Sequence, residues 1–350
     1  MYKNKNVKSV LSKSKIAKSL IALSVGGALT VCSVAASAQD VSNRFIRFGY
    51  GLNQDSKQGR AVEVFKEEVS RLSEGKLKVK PFANALLGNE NQMQNALIGG
   101  AQEMMMTASS SLIGIDKKFA VWDLPFMFDD GPHADKVLDG EFGQGLLDGL
   151  EPHGLVGLVY WENGFRDLTN SKRPIHKMED LDGVKLRVMQ NPMFLDLFND
   201  MGANAVPMAF SELFTALETG AVDGQENPYS TIQSSKFYEV QSYLSQTHHV
   251  YSPWVMLVSK RFWDKLSDDE KEIITKAAIK SRDFERQDSR AQAQKSLEFL
   301  KTKMAVNSIA PEEMERMKEA AKKVIDAQAD EIGEDVLNNF LQAVKNAKSN

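Results

Sequence analysis

The chain has 350 residues, 42% of them apolar and 26% charged, with 18 Phe, 15 Met and 4 Trp, the composition of a soluble globular protein. That excludes a disordered chain, a fibre and a membrane bundle. A single core stops growing at roughly 250 to 300 residues, so the length points to two domains or one large two-lobed domain.

The first 38 residues hold Lys3, Lys5, Lys8, Lys13, Lys15 and Lys18 and no acid, then an apolar stretch over 20–36, then Ala36-Ser37-Ala38. A basic start, an apolar middle and a small-residue triplet read as a secretory signal removed before Gln39. The alternative is a retained membrane anchor, because the apolar stretch is only slightly shorter than the roughly 20 residues of a span. Gly26, Gly27 and the triplet favour removal. The only cysteine, Cys32, lies in this segment, and Val31 before it spoils a lipid-attachment site. The mature chain is then cysteine-free, which suits an oxidising compartment and leaves no thiol chemistry. Losing six of 43 basic residues leaves 37 against 47 acids, a formal charge of about −10. A nucleic-acid binder would be basic. An acidic protein that takes an anion must concentrate positive charge locally, which makes single arginines informative.

Along the mature chain, β-rich runs at 45–52, 77–82, 103–108, 154–162, 184–190 and 205–208 alternate with helical periods. Ala61, Phe65, Val69 and Leu72 recur at helical spacing up to Gly75, and Met93, Ala96 and Leu97 stop at Gly99-Gly100. This alternation predicts an α/β protein with mostly parallel sheets. Ser211 is placed as an N-cap. Ser267 with Glu270 fits a capping box, and the helix it opens runs past Leu300 without Gly or Pro, long enough to span more than one lobe. Pro311 starts another helix with acids in its first turn. With no Pro/Ser-rich linker, two lobes would be joined by strands and helices.

Enzyme signatures are absent: the mature chain has no Walker A loop, GxGxxG, HExxH, GxSxG or EF-hand loop. His248 and His249 are neighbours on a predicted strand and face opposite ways, so they make no metal pair. Polar residues where strands end are the exception. Arg187 closes an apolar strand before Pro192, the place where open α/β sheets bind ligands, and could grip a carboxylate bidentately or simply form an ion pair. Arg166 follows an apolar strand with the same two readings. Asn227 reads as a turn amide, and Phe210 and Trp254 as core aromatics unless they face a ligand.

The strings Leu124-Pro125-Phe126, Tyr160-Trp161-Glu162-Asn163-Gly164-Phe165-Arg166, Lys185-Leu186-Arg187-Val188, Val206-Pro207-Met208-Ala209-Phe210-Ser211-Glu212, Ala221-Val222-Asp223-Gly224-Gln225-Glu226-Asn227-Pro228 and Lys236-Phe237-Tyr238-Glu239-Val240 resemble the DctP family. These are the extracytoplasmic solute-binding subunits of tripartite ATP-independent periplasmic (TRAP) transporters. The resemblance covers essentially the whole mature chain. It implies a two-lobed α/β fold of the type II-like periplasmic-binding-protein kind, with a cleft and a long helix spanning both lobes. Lobe I would be residues 39–163 plus about 253–290, and lobe II 164–252 plus about 291–350. The implied ligand set is Arg187 as carboxylate clamp, Arg166 as second anion contact, Asn227 orienting the clamp, Phe210 packing on the ligand, and Asn53 and Glu90 from the first lobe. No metal and no cofactor is implied. The partners would be a small-molecule carboxylate and small DctQ-like and large DctM-like membrane subunits, with a monomer as the family default and no nucleic acid.

Sialate-binding relatives carry an acid in the strand after the Leu87-Gly88-Asn89-Glu90 helix, where this chain has Met106-Thr107-Ala108-Ser109. Sialate is therefore not expected. A sugar acid, such as a hexuronate or aldonate, is favoured over a C4-dicarboxylate, because Glu90, Asn53, Thr107 and Ser109 suit hydroxyls. From another class, a secreted sugar-acid lyase or hydrolase stays open, as does a sensory role for the same binding fold.

Overall fold

The computed structural model describes residues 40–348. The expected signal segment and Cys32 lie outside them. In chain order the elements are β1 (Arg44–Gly49), α1 (Lys57–Leu72), β2 (Leu77–Phe82), α2 (Glu90–Gly99), β3 (Met104–Ala108), α3 (Gly131–Leu138), α4 (Glu141–Asp148), β4 (Leu155–Asn170), β5 (Lys185–Val188) and α5 (Pro192–Asp200). There follow β6 (Asn204–Pro207), α6 (Phe210–Glu218), β7 (Gly224–Asn227), α7 (Tyr229–Ser234), β8 (Tyr243–Ser259), α8 (Lys260–Trp263), α9 (Asp268–Lys301), β9 (Ala305–Ser308), α10 (Pro311–Ile332) and α11 (Glu334–Ala347).

The strands order as β2-β1-β3-β8-β4-β7-β5-β6, with β9 beside β8. The flanks are parallel, β1 with β2 and β3 on one side and β5 with β6 and β7 on the other. The centre is antiparallel: β4 pairs along β8, and each joins its own flank antiparallel. The expectation of mostly parallel sheets holds for the flanks and for β9 beside β8, and fails along the β3-β8-β4-β7 centre. The two long strands were invisible as such, because β4 continues past position 162 through polar residues as far as Asn170. They carry the sheet from one lobe into the other, so the lobes share backbone ladders instead of a tether.

Register shifts bend β4 at Gly157/Tyr160, Glu162/Gly164 and Arg166/Leu168. Bulges of this kind sharpen strand twist and re-aim side chains. At the middle one Gly164 takes φ +106°, a conformation that disfavours side-chain-bearing residues.

Helix α9 runs 34 residues from the Ser267–Glu270 capping box, packing against α1 near one flank and α7 near the other. Pro311 opens α10, as the sequence indicates. Ser211 is not a cap: α6 begins one residue earlier, after Ala209 in extended conformation, with no side-chain cap bond. Apolar packing explains where α11 docks. Its Phe340 ring lies edge-on to Trp122 at 5.6 Å, and Trp122 meets Tyr160 of β4 at 5.3 Å. Truncating such a buried aromatic typically costs about 3 to 5 kcal/mol. Among the described residues no helix is long and apolar enough to cross a membrane.

Candidate functional site

Between the two parallel flanks lies a cavity that opens to solvent. Arg166, Arg187, Asn227, Phe210 and Glu90 all line it. Three strands side by side explain the convergence: Arg187 of β5 pairs with Gln225 of β7, and Asn227 of β7 pairs with Asp167 of β4, next to Arg166.

Arg166 is within β4, not beyond its end, and is 1% exposed. A buried charge needs a partner, and here the partner is Glu226. Arg166 donates to both carboxylate oxygens of Glu226, to its backbone carbonyl at 2.7 Å and to Asn227 Oδ1 at 3.2 Å. His249 Nε2 meets the same carboxylate at 3.1 Å. Burial works to raise the Glu226 pKa, but Arg166 and His249 overcome it and hold the group down to about 2. Arg166 Nη1 stays buried without a partner.

Arg187 is different. Its Nε and Nη2 both donate to the Met208 carbonyl, at 3.0 and 2.7 Å, and Nη1 is buried and unpartnered. Burial draws its pKa down to about 10, against the opposing pull of Glu226 and Glu90. Arg166 is thus neutralised by a bound carboxylate, while Arg187 presents an uncompensated charge.

Asn227 ends β7 instead of sitting in a turn, and its Nδ2 donates to Gln225 Oε1 at 2.5 Å. Gln225 in turn donates to Thr169 Oγ1 at 2.8 Å, which fixes the amide's orientation toward Arg166. Phe210 opens α6 and stands edge-on to Phe237 at 6.0 Å.

Glu90 reaches the cavity from the other flank, as the first residue of α2 behind the Asn89 capping box. Its Oε1 accepts from Ala108 N at 2.9 Å and Thr107 Oγ1 at 3.1 Å. Burial pushes its carboxyl up, and those bonds and both arginines pull it back.

Asn53 lies beside the cavity without lining it, because its Nδ2 is committed to Ser234 O at 2.7 Å. Thr107 and Ser109 do not line it either; the hydroxyl residues that do are Ser111, Ser211 and Thr231. Trp254 lines it as well, with the Lys57 ammonium 5.1 Å from its ring centre. Sequence reasoning missed Gln58, Asn89, Asn91, Asn163 and Gln190. Their signal was proximity: Asn89 and Asn91 flank Glu90, and Gln190 follows Arg187 by three residues. His248 meets Asp167 at 3.0 Å while His249 turns inward to Glu226, opposite ways as expected of strand neighbours. No group of three or more His, Cys, Asp or Glu among the described residues could hold a metal.

The family model for bacterial extracellular solute-binding protein, family 7 (DctP), matches residues 48–331. The chain is 38% identical over 279 residues to the 2,3-diketo-L-gulonate-binding periplasmic protein YiaO of Escherichia coli K12, covering 79% of this chain and 85% of that protein. It is 31% identical over 309 residues to the C4-dicarboxylate-binding periplasmic protein DctP of Rhodobacter capsulatus, covering 87% and 91%. Among solved structures, the sugar acid binding protein DctPAm of Advenella mimigardefordensis in complex with galactonate superposes with a TM-score of 0.87 at 49% identity, covering 88% of this chain and all of that one.

Proposed function

The chain belongs to the bacterial extracellular solute-binding proteins of family 7, and on that footing we propose that it captures a sugar acid in the periplasm and hands it to TRAP membrane subunits. The observation that carries the sugar-acid choice is the charge layout of the cavity. Arg187 offers one uncompensated positive charge on one wall, and Glu90 offers a carboxylate on the other. A monoanion with a hydroxylated tail satisfies both, since a carboxylate accepts bonds from neutral hydroxyls. A C4-dicarboxylate would bring its second charge toward Glu90. The relatives follow the same direction: galactonate is bound by the one at 49% identity and 2,3-diketo-L-gulonate by the one at 38%, against C4-dicarboxylate at 31%.

In this reading Arg187 clamps the carboxylate, Arg166 is the second anion contact oriented by Asn227, Phe210 covers the ligand and Glu90 reads hydroxyls. Asn53 acts beside the ligand. Residues 1–38 are the export signal. Lobe I is residues 39–163 with about 253–290, and lobe II is 164–252 with about 291–350. Helix α11, through Phe340 on Trp122, fastens the end of the chain onto lobe I. The protein works as a monomer with DctQ-like and DctM-like subunits and does no covalent chemistry.

Calorimetric titration with galactonate, galactose and succinate tests this. Galactonate is expected to bind at least about 100-fold more tightly than either, and at 100 times its Kd to add about 2.7 kcal/mol of stability. Equal binding of galactose would overturn the clamp, preference for succinate would move the protein to the dicarboxylate class, and a new product on incubation with galactonate would make it an enzyme.

A further inference from the structure

Two side-chain amides join one flank to the other, Asn53 beside the cavity and Asn91 on its wall, and neither has a local task. Asn53 lies in the loop between β1 and α1, where Ser56 performs the capping. Its Nδ2 donates to Ser234 O at the end of α7, 181 residues away in sequence, at 2.7 Å. Asn91 is the second residue of α2, whose cap is Asn89. Its Nδ2 donates at 3.3 Å to Oε1 of Gln190, just past β5. Both donors stand on the β1-β2-β3 flank and both acceptors on the β5-β7 flank. Asn91 and Gln190 line the cavity, and so do Gly51 and Leu52 before Asn53 and Thr231 before Ser234. Asn53 Oδ1 is moreover buried with no partner. A buried acceptor left unmade is costly, so this side chain is held in place for the sake of its cross-cavity donor.

We infer that the Asn53–Ser234 and Asn91–Gln190 pairs clasp the two flanks together over the ligand, so that Asn53 and Asn91 set how long the ligand stays and not which ligand is chosen. The inference rests on the solute-binding reading. Bonds made only once the flanks are together act on escape more than on entry, because encounter precedes closure. Neutral amide bonds also carry no preference among acids that differ in charge or hydroxyl pattern.

Stopped-flow tryptophan fluorescence with galactonate, followed through Trp254 at the cavity wall, tests it. Asn53→Ala, Asn91→Ala and Gln190→Ala should each raise the release rate about fivefold with the association rate within twofold. The ratio of galactonate to succinate affinity should stay unchanged. The double variant Asn91→Ala/Gln190→Ala should release no faster than either single one, the signature of a shared bond. A change confined to association, an altered ligand ratio or additive effects in the double variant would overturn the clasp and make these residues direct ligand contacts. Spin labels at Lys78→Cys and Asn204→Cys, exposed on the edge strands β2 and β6, give a readout that needs no ligand. Asn53→Ala/Asn91→Ala should shift the ligand-free distance distribution to longer values, and an unshifted distribution counts against the clasp. Failure of the unsubstituted protein to bind galactonate strikes the solute-binding reading instead, and the label distances still decide the clasp.

Discussion

Arg187 grips the Met208 carbonyl with two nitrogens, Nε at 3.0 Å and Nη2 at 2.7 Å, and keeps its third, Nη1, buried and unpartnered. A carbonyl fixes the plane of the guanidinium without cancelling its charge. A buried charge without a counter-charge costs stability, as in other preorganised sites that trade stability for function. Arg187→Lys keeps the charge but cannot reproduce the fork. Its Kd for galactonate should rise at least about 30-fold, in line with the roughly 2 to 5 kcal/mol lost when one partner of a buried charged contact is removed. Arg187→Met should melt higher than the unsubstituted protein when both are ligand-free, and should gain nothing from galactonate. A clear galactonate-induced shift in that variant would remove Arg187 from the site.

Glu226 is what permits a second arginine in the same wall. Glu226→Gln leaves Arg166 buried without its counter-charge, and the loss in urea unfolding should be about 3 to 5 kcal/mol. The carboxyl is held down to about 2 from an ordinary 4.5. The stability it contributes is therefore complete above about pH 4.5 and drains away as pH falls toward 2. The Gln variant, compared by urea unfolding across that window, should lose less on acidification. Identical acid dependence in the two proteins would contradict the pairing.

The place of Arg187 in the cavity wall was legible because it stands near the end of the short strand Lys185-Leu186-Arg187-Val188, where sheet physics places ligands, whereas its reading as a clamp came from the family resemblance. Arg166 and Asn227 were legible as residues but not as neighbours. β4 runs on through Asn163-Gly164-Phe165-Arg166, a polar and glycine-containing stretch that masks a strand, and β7 is only four residues long. Their meeting depends on register, a long-range property that no local pattern encodes. Asn53 was named only through the family resemblance. Its commitment to Ser234 depends on a partner 181 positions away. Helix α9, by contrast, announced both its cap and its length, since both are local.

Glu90 separates sugar acids from dicarboxylates in this reading. Glu90→Gln removes the negative charge from the wall facing Arg187 and keeps an acceptor for Ala108 N. Succinate affinity should rise about tenfold relative to galactonate, since like charges brought together in a desolvated site discriminate strongly against the wrong ligand. Competitive titration of the two acids measures the ratio. An unchanged ratio would mean that Glu90 does not face the second end of the ligand.

Asp123 is buried beside the site, between Ser110 Oγ and Asn191 Nδ2, each at 2.5 Å. Burial pushes its carboxyl up to about 7 from 3.8, although Ser110, Asn191 and the charge of Arg166 pull the other way. The unfolded chain releases this proton near pH 3.8 and the folded chain keeps it until about 7, so over that range the folded state binds more protons. Its contribution to stability therefore falls as pH rises from about 4 to about 7 and is level above that, the reverse of the Glu226 case. Asp123→Asn mimics the protonated form: its oxygen can accept from Asn191 and its amide can donate to Ser110. Urea unfolding at pH 4, 5.5, 7 and 8 should show the variant gaining on the unsubstituted protein up to pH 7 and holding a constant lead beyond. Parallel curves would mean that Asp123 is already ionised in the folded protein.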